Sequence, residues 1–204
     1  MTRAPYWQGD GVSIYNADAL DVLPLIESIG AIVTDPPYSS GGMFRGDRTQ
    51  STVAKYVDTR KKGQARDFAG DTRDQRSYAI WVAEWMRRAF VQAIPGASAM
   101  VFTDWRQLAA TADGVQVGGW ILRNIATWWK PGVRMQRGRF SSSAEFVVYA
   151  TAGIPEPGRG SPQNVFKCPN VKDREHIAEK PREVMQWLLQ AVPAGALVVD
   201  PFCG

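Results

Sequence analysis

The sequence has little of the side-chain chemistry that metal sites and thiol catalysis need. Its 204 residues include one histidine, His176, and two cysteines, Cys168 and Cys203. A structural zinc site needs four Cys or His ligands close together, so we expect no metal site. A disulfide between the two cysteines is disfavoured in a reducing compartment. Metal chemistry and a cysteine nucleophile are therefore both excluded as first hypotheses.

Long apolar runs are also missing. No stretch approaches the roughly 18 consecutive apolar residues that read as a membrane span, and residues 1–11 lack the apolar core of a signal peptide. We therefore expect a cytoplasmic protein without a membrane partner. Hydrophobic residues make up 45% and charged residues 22% of the chain, which is ordinary globular composition. The length predicts one domain spanning residues 1–204.

Positive charge is concentrated in one segment. Residues 39–76 contain nine basic and five acidic residues, and this surplus equals the net charge of +4 of the whole chain. The segment has no sustained apolar period and is predicted to be a long loop. It is compatible with a solvated surface loop or with an arm that contacts nucleic-acid phosphates. The candidate contacts in it are Arg45, Arg48, Lys61 and Lys62.

Apolar patterning predicts strands that alternate with helices. The predicted strands are 11–15, 31–34, 97–103, 121–129, 145–150 and 196–199. The predicted helices are 18–29, 76–94, 105–113 and 181–192. Residues 153–174 are rich in proline and glycine and are predicted to be irregular, whereas Trp81, Trp85 and Phe90 form a predicted core stripe. The alternation indicates an α/β three-layer sandwich with a mostly parallel sheet.

Two of the predicted strands run directly into Asp-Pro. Asp35-Pro36-Pro37-Tyr38 follows residues 31–34, and Asp200-Pro201-Phe202-Cys203-Gly204 follows residues 196–199. Ligands of such sheets bind at the carboxyl ends of the strands. Both carboxylates are therefore predicted to lie at the same rim of one sheet.

The first of these turns is poor in hydrogen-bond donors. Pro36 and Pro37 have no N–H and hold the backbone extended, so the Asp35 carboxylate and the Pro36 carbonyl form an acceptor-only pocket. An exocyclic amine fits such a pocket, because two acceptors can hold both of its hydrogens and free the nitrogen lone pair for attack. Tyr38 offers a flat face for a base that has left the duplex. The plainer alternative is a simple turn after a strand.

The two motifs together resemble those of the amino-methylating DNA methyltransferases. Asp35–Tyr38 is similar to their catalytic motif, and Asp200–Gly204 resembles the start of their S-adenosylmethionine loop. The order of the motifs is that of the permuted β class, and residues 35–50 resemble phage and prophage adenine methylases. The weaker matches are residues 16–20, 128–130, 145–149 and 176–181. The resemblance implies a circularly permuted Rossmann-like methyltransferase fold, S-adenosylmethionine as cofactor and double-stranded DNA as partner, with a homodimer left open.

The resemblance also implies roles for individual residues. Asp35, Pro36, Pro37 and Tyr38 would hold the target base. The cofactor candidates are Asp200, Pro201, Phe202, Gly204, Asp18 and Lys180. Asp18 is equally compatible with a helix cap, and Lys180 with a solvated charge, whereas His176 is expected to be structural. Segments 130–143 and 153–175 are candidates for target recognition, and the candidate DNA contacts there are Arg134, Arg137 and Arg139.

The family pattern is interrupted at Gly204, where a Ser-Gly, a helix and a further strand are expected. A polypeptide ending there is expected to bind cofactor weakly and to leave the strand at 11–15 without its sheet neighbour. Asp35 favours adenine N6 as the target, because cytosine-N4 enzymes more often have Ser at this position. Three alternatives stay open: methylation of cytosine N4, methylation of RNA or a protein amide, and a DNA-binding remnant without activity.

Overall fold

A computed structural model describes residues 4–38, 73–133, 137–138, 140–155, 160–171 and 179–203. Eight strands occur in these residues: β1 (Trp7–Gly9), β2 (Val12–Ile14), β3 (Ile29–Thr34), β4 (Ala93–Thr103), β5 (Ile121–Trp129), β6 (Ala144–Thr151), β7 (Val165–Lys167) and β8 (Leu197–Val199). The α-helices there are α1 (Ala19–Val22), α2 (Gln75–Gln92), α3 (Leu108–Val117) and α4 (Arg182–Leu189), and a 3-10 turn spans Leu23–Leu25. No helix of the described ranges is long and apolar enough to cross a membrane.

Six strands form the central sheet in the order β7-β5-β6-β4-β3-β8. The pairs β8–β3, β3–β4 and β5–β7 are parallel, whereas β6 runs antiparallel to both β4 and β5. Strand β3 lies in the interior of this sheet and is buried along its whole length, as its unbroken apolar run predicts. The expected α/β fold with a mostly parallel sheet is therefore confirmed.

Helices cover both faces of the sheet, which gives three layers. Helices α2 and α3 pack on one face, where Trp85, Tyr78 and Val115 belong to the larger apolar cluster. Helix α4 packs on the other face through Val184, Trp187 and Leu188, which join Met100 and Phe102 of β4 in a second cluster.

Helix α2 contributes aromatic side chains to the core beside the sheet. Its first turn is capped by Asp74, whose carboxylate accepts hydrogen bonds from the N–H groups of Arg76 and Ser77 at 3.0 and 2.9 Å. The predicted stripe is confirmed as core: Trp85 is fully buried, and Trp81 and Phe90 pack against the same cluster.

The N-terminal hairpin differs from expectation. Residues 11–15 were expected to lose their parallel neighbour and to stay unpaired; β2 does lie outside the central sheet, but it pairs antiparallel with β1, with Trp7 opposite Ile14 and Gly9 opposite Val12. The hairpin forms a two-stranded sheet of its own. Its turn is made by Asp10 and Gly11, both with positive φ, which suits the twist of a tight hairpin.

Several predicted elements differ from the structure, and the helix expected over 105–113 spans Leu108–Val117. The helix expected over 18–29 ends at Val22 and gives way to the 3-10 turn, which has Pro24 at its start, because proline has no N–H for the next helical hydrogen bond. Strand β4 starts at Ala93, before Pro95-Gly96, because Ala93 pairs with Ile29 of β3. Residues 153–174 were expected to be irregular but contain β7, whose three residues align with Thr127, Trp128 and Trp129 on the edge of β5.

Candidate active site

The two Asp-Pro turns lie side by side at one rim of the sheet. Strands β3 and β8 are parallel neighbours, with Ile32 aligned with Val199, so Asp35 and Asp200 emerge at the same edge. The Thr34 hydroxyl joins the two turns by donating a hydrogen bond to Asp200 Oδ1 at 2.5 Å. The predicted placement of both carboxylates at a common rim is confirmed.

The turn after β8 is held by its own aspartate. Asp200 Oδ1 also accepts a hydrogen bond from the Phe202 N–H at 2.9 Å. The Phe202 ring packs against Trp81 and Trp85 of α2, with ring centroids 5.1 and 5.3 Å away. The turn is thereby tied to β3 by a hydrogen bond and to α2 by aromatic contacts.

Asp35 is paired with Lys180, which lies two residues before α4. The Lys180 ammonium donates to Asp35 Oδ2 at 2.5 Å, and the Lys180 and Asp35 side chains are 10% and 24% exposed. Asp35 Oδ1 is buried and has no hydrogen-bond partner in the described part of the chain. A buried acceptor without a donor is costly, so this atom is poised to accept a hydrogen bond from a ligand.

Lys180 has further neighbours that fix its position. Glu145 Oε2 lies 3.5 Å from Lys180 Nζ, and Glu145 Oε1 accepts a hydrogen bond from Lys130 Nζ at 2.9 Å. The Lys180 ammonium also lies 6.0 Å from the Tyr38 ring centroid and 5.3 Å from that of Phe102, within the range of cation–π attraction. Lys180 is therefore placed on Asp35 at the rim and is not a solvated charge.

Burial and ion pairing act in opposite directions on these groups. Burial raises the pKa of Asp35, and the adjacent Lys180 ammonium opposes that rise. Burial alone would lower the pKa of Lys180, but the carboxylates of Asp35 and Glu145 outweigh it and raise that pKa. The pKa of Glu145 is lowered because Lys180 and Lys130 outweigh the effect of its burial. Lys180 thus stays charged between two carboxylates.

The other residues of the Asp35–Tyr38 turn line the same corner. Pro36 is buried, and Pro37 and Tyr38 are half-buried, with Tyr38 packed against the larger apolar cluster. Pro201, in the neighbouring turn, is also half-buried. The rim therefore combines a carboxylate, a proline-restricted backbone and an aromatic ring.

Several candidate residues are placed elsewhere or lie outside the described residues. Asp18 is exposed and caps α1, accepting a hydrogen bond from the Leu20 N–H at 2.8 Å, so the helix-cap alternative is confirmed. Arg137 is exposed. The candidates outside the described residues are Gly204, His176, Arg45, Arg48, Lys61, Lys62, Arg134 and Arg139. The two cysteines are not bonded to each other: Cys168 is buried and Cys203 is exposed.

Comparison with known proteins assigns the chain to a family. The sequence profile of the DNA methylases that modify N6 or N4 amino groups matches residues 29–157, more than half of the chain. The chain belongs to the DNA methylase family. No curated protein matches it.

Solved methyltransferase structures share the fold of this methylase. The M1.HpyAVI complex with SAM is 18% identical, has a TM-score of 0.60, and is matched over 93% of this chain and 81% of that one. PvuII DNA methyltransferase, described as cytosine-N4-specific, is 17% identical, has a TM-score of 0.67, and is matched over 97% of this chain and 76% of that one.

Three residues at this rim did not stand out in the sequence as site residues. Thr34 is the last residue of an apolar run, and its hydroxyl at the strand end is the only sign of its contact with Asp200. Lys130 and Glu145 lie in segments that resemble the family, but their pairing follows from the antiparallel register that places Trp128 opposite Glu145. The three residues extend the site from the Asp-Pro turns to the edge of β5.

Proposed function

We propose that this methylase transfers a methyl group from S-adenosylmethionine to the exocyclic amino nitrogen of a base flipped out of double-stranded DNA, with adenine N6 as the target. The proposal rests on the hydrogen bonding of the Asp35 carboxylate. Lys180 occupies Oδ2, whereas Oδ1 is buried and unpaired among the described residues. An amino hydrogen of the base supplies the missing donor.

The residues at the rim act mainly by positioning and by electrostatics. Asp35 Oδ1 and the Pro36 carbonyl oxygen each accept a hydrogen bond from one amino hydrogen of the base. These two bonds direct the nitrogen lone pair away from the ring system and toward the incoming methyl group. The Tyr38 ring stacks on the base, a contact worth about 1–3 kcal/mol. Forming the bond from nitrogen to the methyl carbon would break the bond from that carbon to sulfur and leave a neutral thioether. The methylated nitrogen would then carry a positive charge, which the Asp35 carboxylate stabilises until one amino proton passes to solvent water.

The turn after β8 is the proposed cofactor-binding element. Its carboxylate is held by Thr34 and by the Phe202 N–H, and its aromatic ring is fixed against α2. When bound, S-adenosylmethionine supplies an electrophilic methyl group on a sulfonium. Asp200, Pro201 and Phe202 are proposed to hold it, together with Gly204. Asp18 stays a candidate only through its second carboxylate oxygen, since the first caps α1.

The choice of adenine rests on Asp35, since the related cytosine-N4 enzymes more often have Ser there. We also propose that three segments contact DNA: the basic segment 39–76 and residues 130–143 and 153–175. The proposed location of the protein is the cytosol. Phosphate contacts by the arginines and lysines of these segments would make DNA affinity fall steeply with salt.

The test is to identify the methylated product. The full-length protein is incubated with duplex DNA and methyl-deuterated S-adenosylmethionine, and the DNA is digested to nucleosides for mass spectrometry. We expect labelled N6-methyladenine from the wild type and none from Asp35→Ala, with full labelling from the control Asp113→Asn, whose side chain is exposed on α3. Labelled N4-methylcytosine, labelled RNA or protein in parallel reactions, or DNA binding without any methyl transfer would contradict the proposal.

A further inference from the structure

Four charged side chains of alternating sign form a row along the rim of the sheet. Lys180 Nζ donates a hydrogen bond to Asp35 Oδ2 and lies 3.5 Å from Glu145 Oε2. Lys130 Nζ donates a hydrogen bond to Glu145 Oε1 at 2.9 Å. The Lys180, Glu145 and Lys130 side chains are only 10%, 17% and 13% exposed. We call these four residues the charge row. Only its first member belongs to the catalytic motif.

Glu145 and Lys130, the last two residues of the charge row, are positioned by the paired strands β5 and β6. Glu145 is the second residue of β6, opposite Trp128 of β5. Lys130 follows β5 directly, and its N–H donates to the Ser143 carbonyl at 2.8 Å, which closes the ladder between the two strands. The Lys130 ammonium also lies 5.3 Å from the Trp128 ring centroid. The sheet therefore determines where the Glu145 carboxylate lies.

Lys180 is less well fixed by its own backbone. It lies outside α4, which begins at Arg182, and its long flexible side chain can reach several acceptors. Without Glu145 the ammonium would lose one of its carboxylate contacts, and Asp35 Oδ1 would be less firmly oriented. A second carboxylate on the sheet side of the ammonium removes this freedom.

We propose that Glu145 is a positioning residue for methyl transfer: it holds Lys180 against Asp35 Oδ2, with Lys130 as its outer anchor, so that Asp35 Oδ1 stays aimed at the target amine. The inference rests on the proposed function. Glu145 touches neither base nor cofactor in this account and acts through Lys180.

The first test replaces Glu145 by its neutral isostere. In Glu145→Gln we expect kcat to fall by about 10- to 100-fold, the size seen when outer partners of site ligands are removed in metal enzymes. The cofactor Kd and the KM for DNA should change by less than about threefold, because neither ligand touches Glu145. Glu84→Gln is the matched control, because Glu84 pairs with Arg88 on the exposed face of α2, and its kcat should equal that of the wild type.

A pH profile separates positioning from a general loss of structure. The Glu145 carboxylate helps to raise the pKa of Lys180, so its removal makes that ammonium easier to deprotonate. The alkaline limb of kcat should therefore move to lower pH in Glu145→Gln and stay in place in Glu84→Gln. A merely destabilised protein would lose activity without this displacement.

The second test is a double-mutant cycle with Lys130→Met, which also serves if Glu145→Gln cannot be purified. Lys130→Met alone should lower kcat by about three- to tenfold, and adding it to Glu145→Gln should lower kcat by less than about twofold more, because both changes act through one carboxylate. An inactive wild type would contradict the proposed function itself. An active wild type with a kcat within threefold in both single variants, or with additive effects, would overturn the role of Glu145.

Discussion

Replacing Lys180 by methionine removes the cation at the centre of the charge row. The Lys180 side chain is nearly buried, and it faces Asp35 at 2.5 Å and Glu145 at 3.5 Å. Breaking a buried ion pair by deleting one partner costs about 3–5 kcal/mol. Asp35 reduces that cost by taking up a proton, because burial already raises the pKa of its carboxyl and Lys180 no longer opposes it.

The consequence for catalysis follows from this protonation. A protonated Asp35 is a weaker acceptor for the target amine, and the loss of one preorganised electrostatic contact lowers kcat by about 10²–10³-fold. Raising the pH should restore part of the lost rate in Lys180→Met, because the carboxyl ionises again. Lys180→Arg keeps the charge and should retain more activity than Lys180→Met at neutral pH.

The assay is the initial rate of tritiated methyl transfer to duplex DNA across a pH series, with cofactor affinity measured by calorimetry. Arg87→Met is the control, since Arg87 is an exposed cation on α2. If Lys180→Met kept kcat within threefold of the wild type at neutral pH, Lys180 would not control Asp35. If kcat of Lys180→Met were lower than that of the wild type by the same factor at every pH, protonation of Asp35 would not be the cause.

The remaining predictions concern the same rim and its support. Because burial raises the pKa of Asp35 above 3.8, wild-type kcat should fall as the pH drops through that raised pKa; a flat rate down to about pH 4 would contradict this. Thr34→Val removes a hydrogen bond to the Asp200 carboxylate. It should weaken cofactor binding in calorimetry by about 10- to 150-fold if the whole of the roughly 1.5–3 kcal/mol of such a bond is lost from binding; an unchanged Kd would count against Asp200 as a cofactor ligand. Gly114→Ala should lower the free energy of unfolding, measured in urea, by about 1–3 kcal/mol. The reason is that the new Cβ would lie 2.7 Å from the Ala79 carbonyl oxygen and from Val82 Cβ of α2. Helix propensity alone predicts a more stable variant, and that result would show that α2 and α3 can move apart.

The parts of the fold with a strong local pattern could be predicted from the sequence. Strand β3 is a continuous apolar run, and the period of α2 places Trp81 and Trp85 on one face. The rim was predictable because two apolar runs end in Asp-Pro and parallel strands present their carboxyl ends together.

The parts that depend on pairing between distant segments could not be predicted. Strand β7 is three residues long and is defined by its register with β5, so it has no period of its own. Strand β4 starts before Pro95-Gly96, which reads as a break, because the register with β3 extends the pairing to Ala93.

The charge row was hidden for the same reason. Asp35 and Lys180 are 145 positions apart in sequence, and no local pattern distinguishes Glu145 or Lys130 from ordinary strand-end charges. Only the antiparallel register of β5 and β6 brings the last two together. Residue type and strand-end position therefore pointed to Asp35, and the family resemblance pointed to Lys180, whereas the pairing of the two and the contribution of Glu145 and Lys130 required the folded structure.

The most direct test of the account is a crystal structure of the full-length protein with duplex DNA and the unreactive cofactor analogue sinefungin. We predict an adenine outside the duplex, stacked on Tyr38, with its amino nitrogen within hydrogen-bond distance of Asp35 Oδ1 and with Oδ2 still hydrogen-bonded to Lys180. A flipped base whose amine contacts other residues, or an Asp35 carboxylate with both oxygens turned to Lys180, would contradict it.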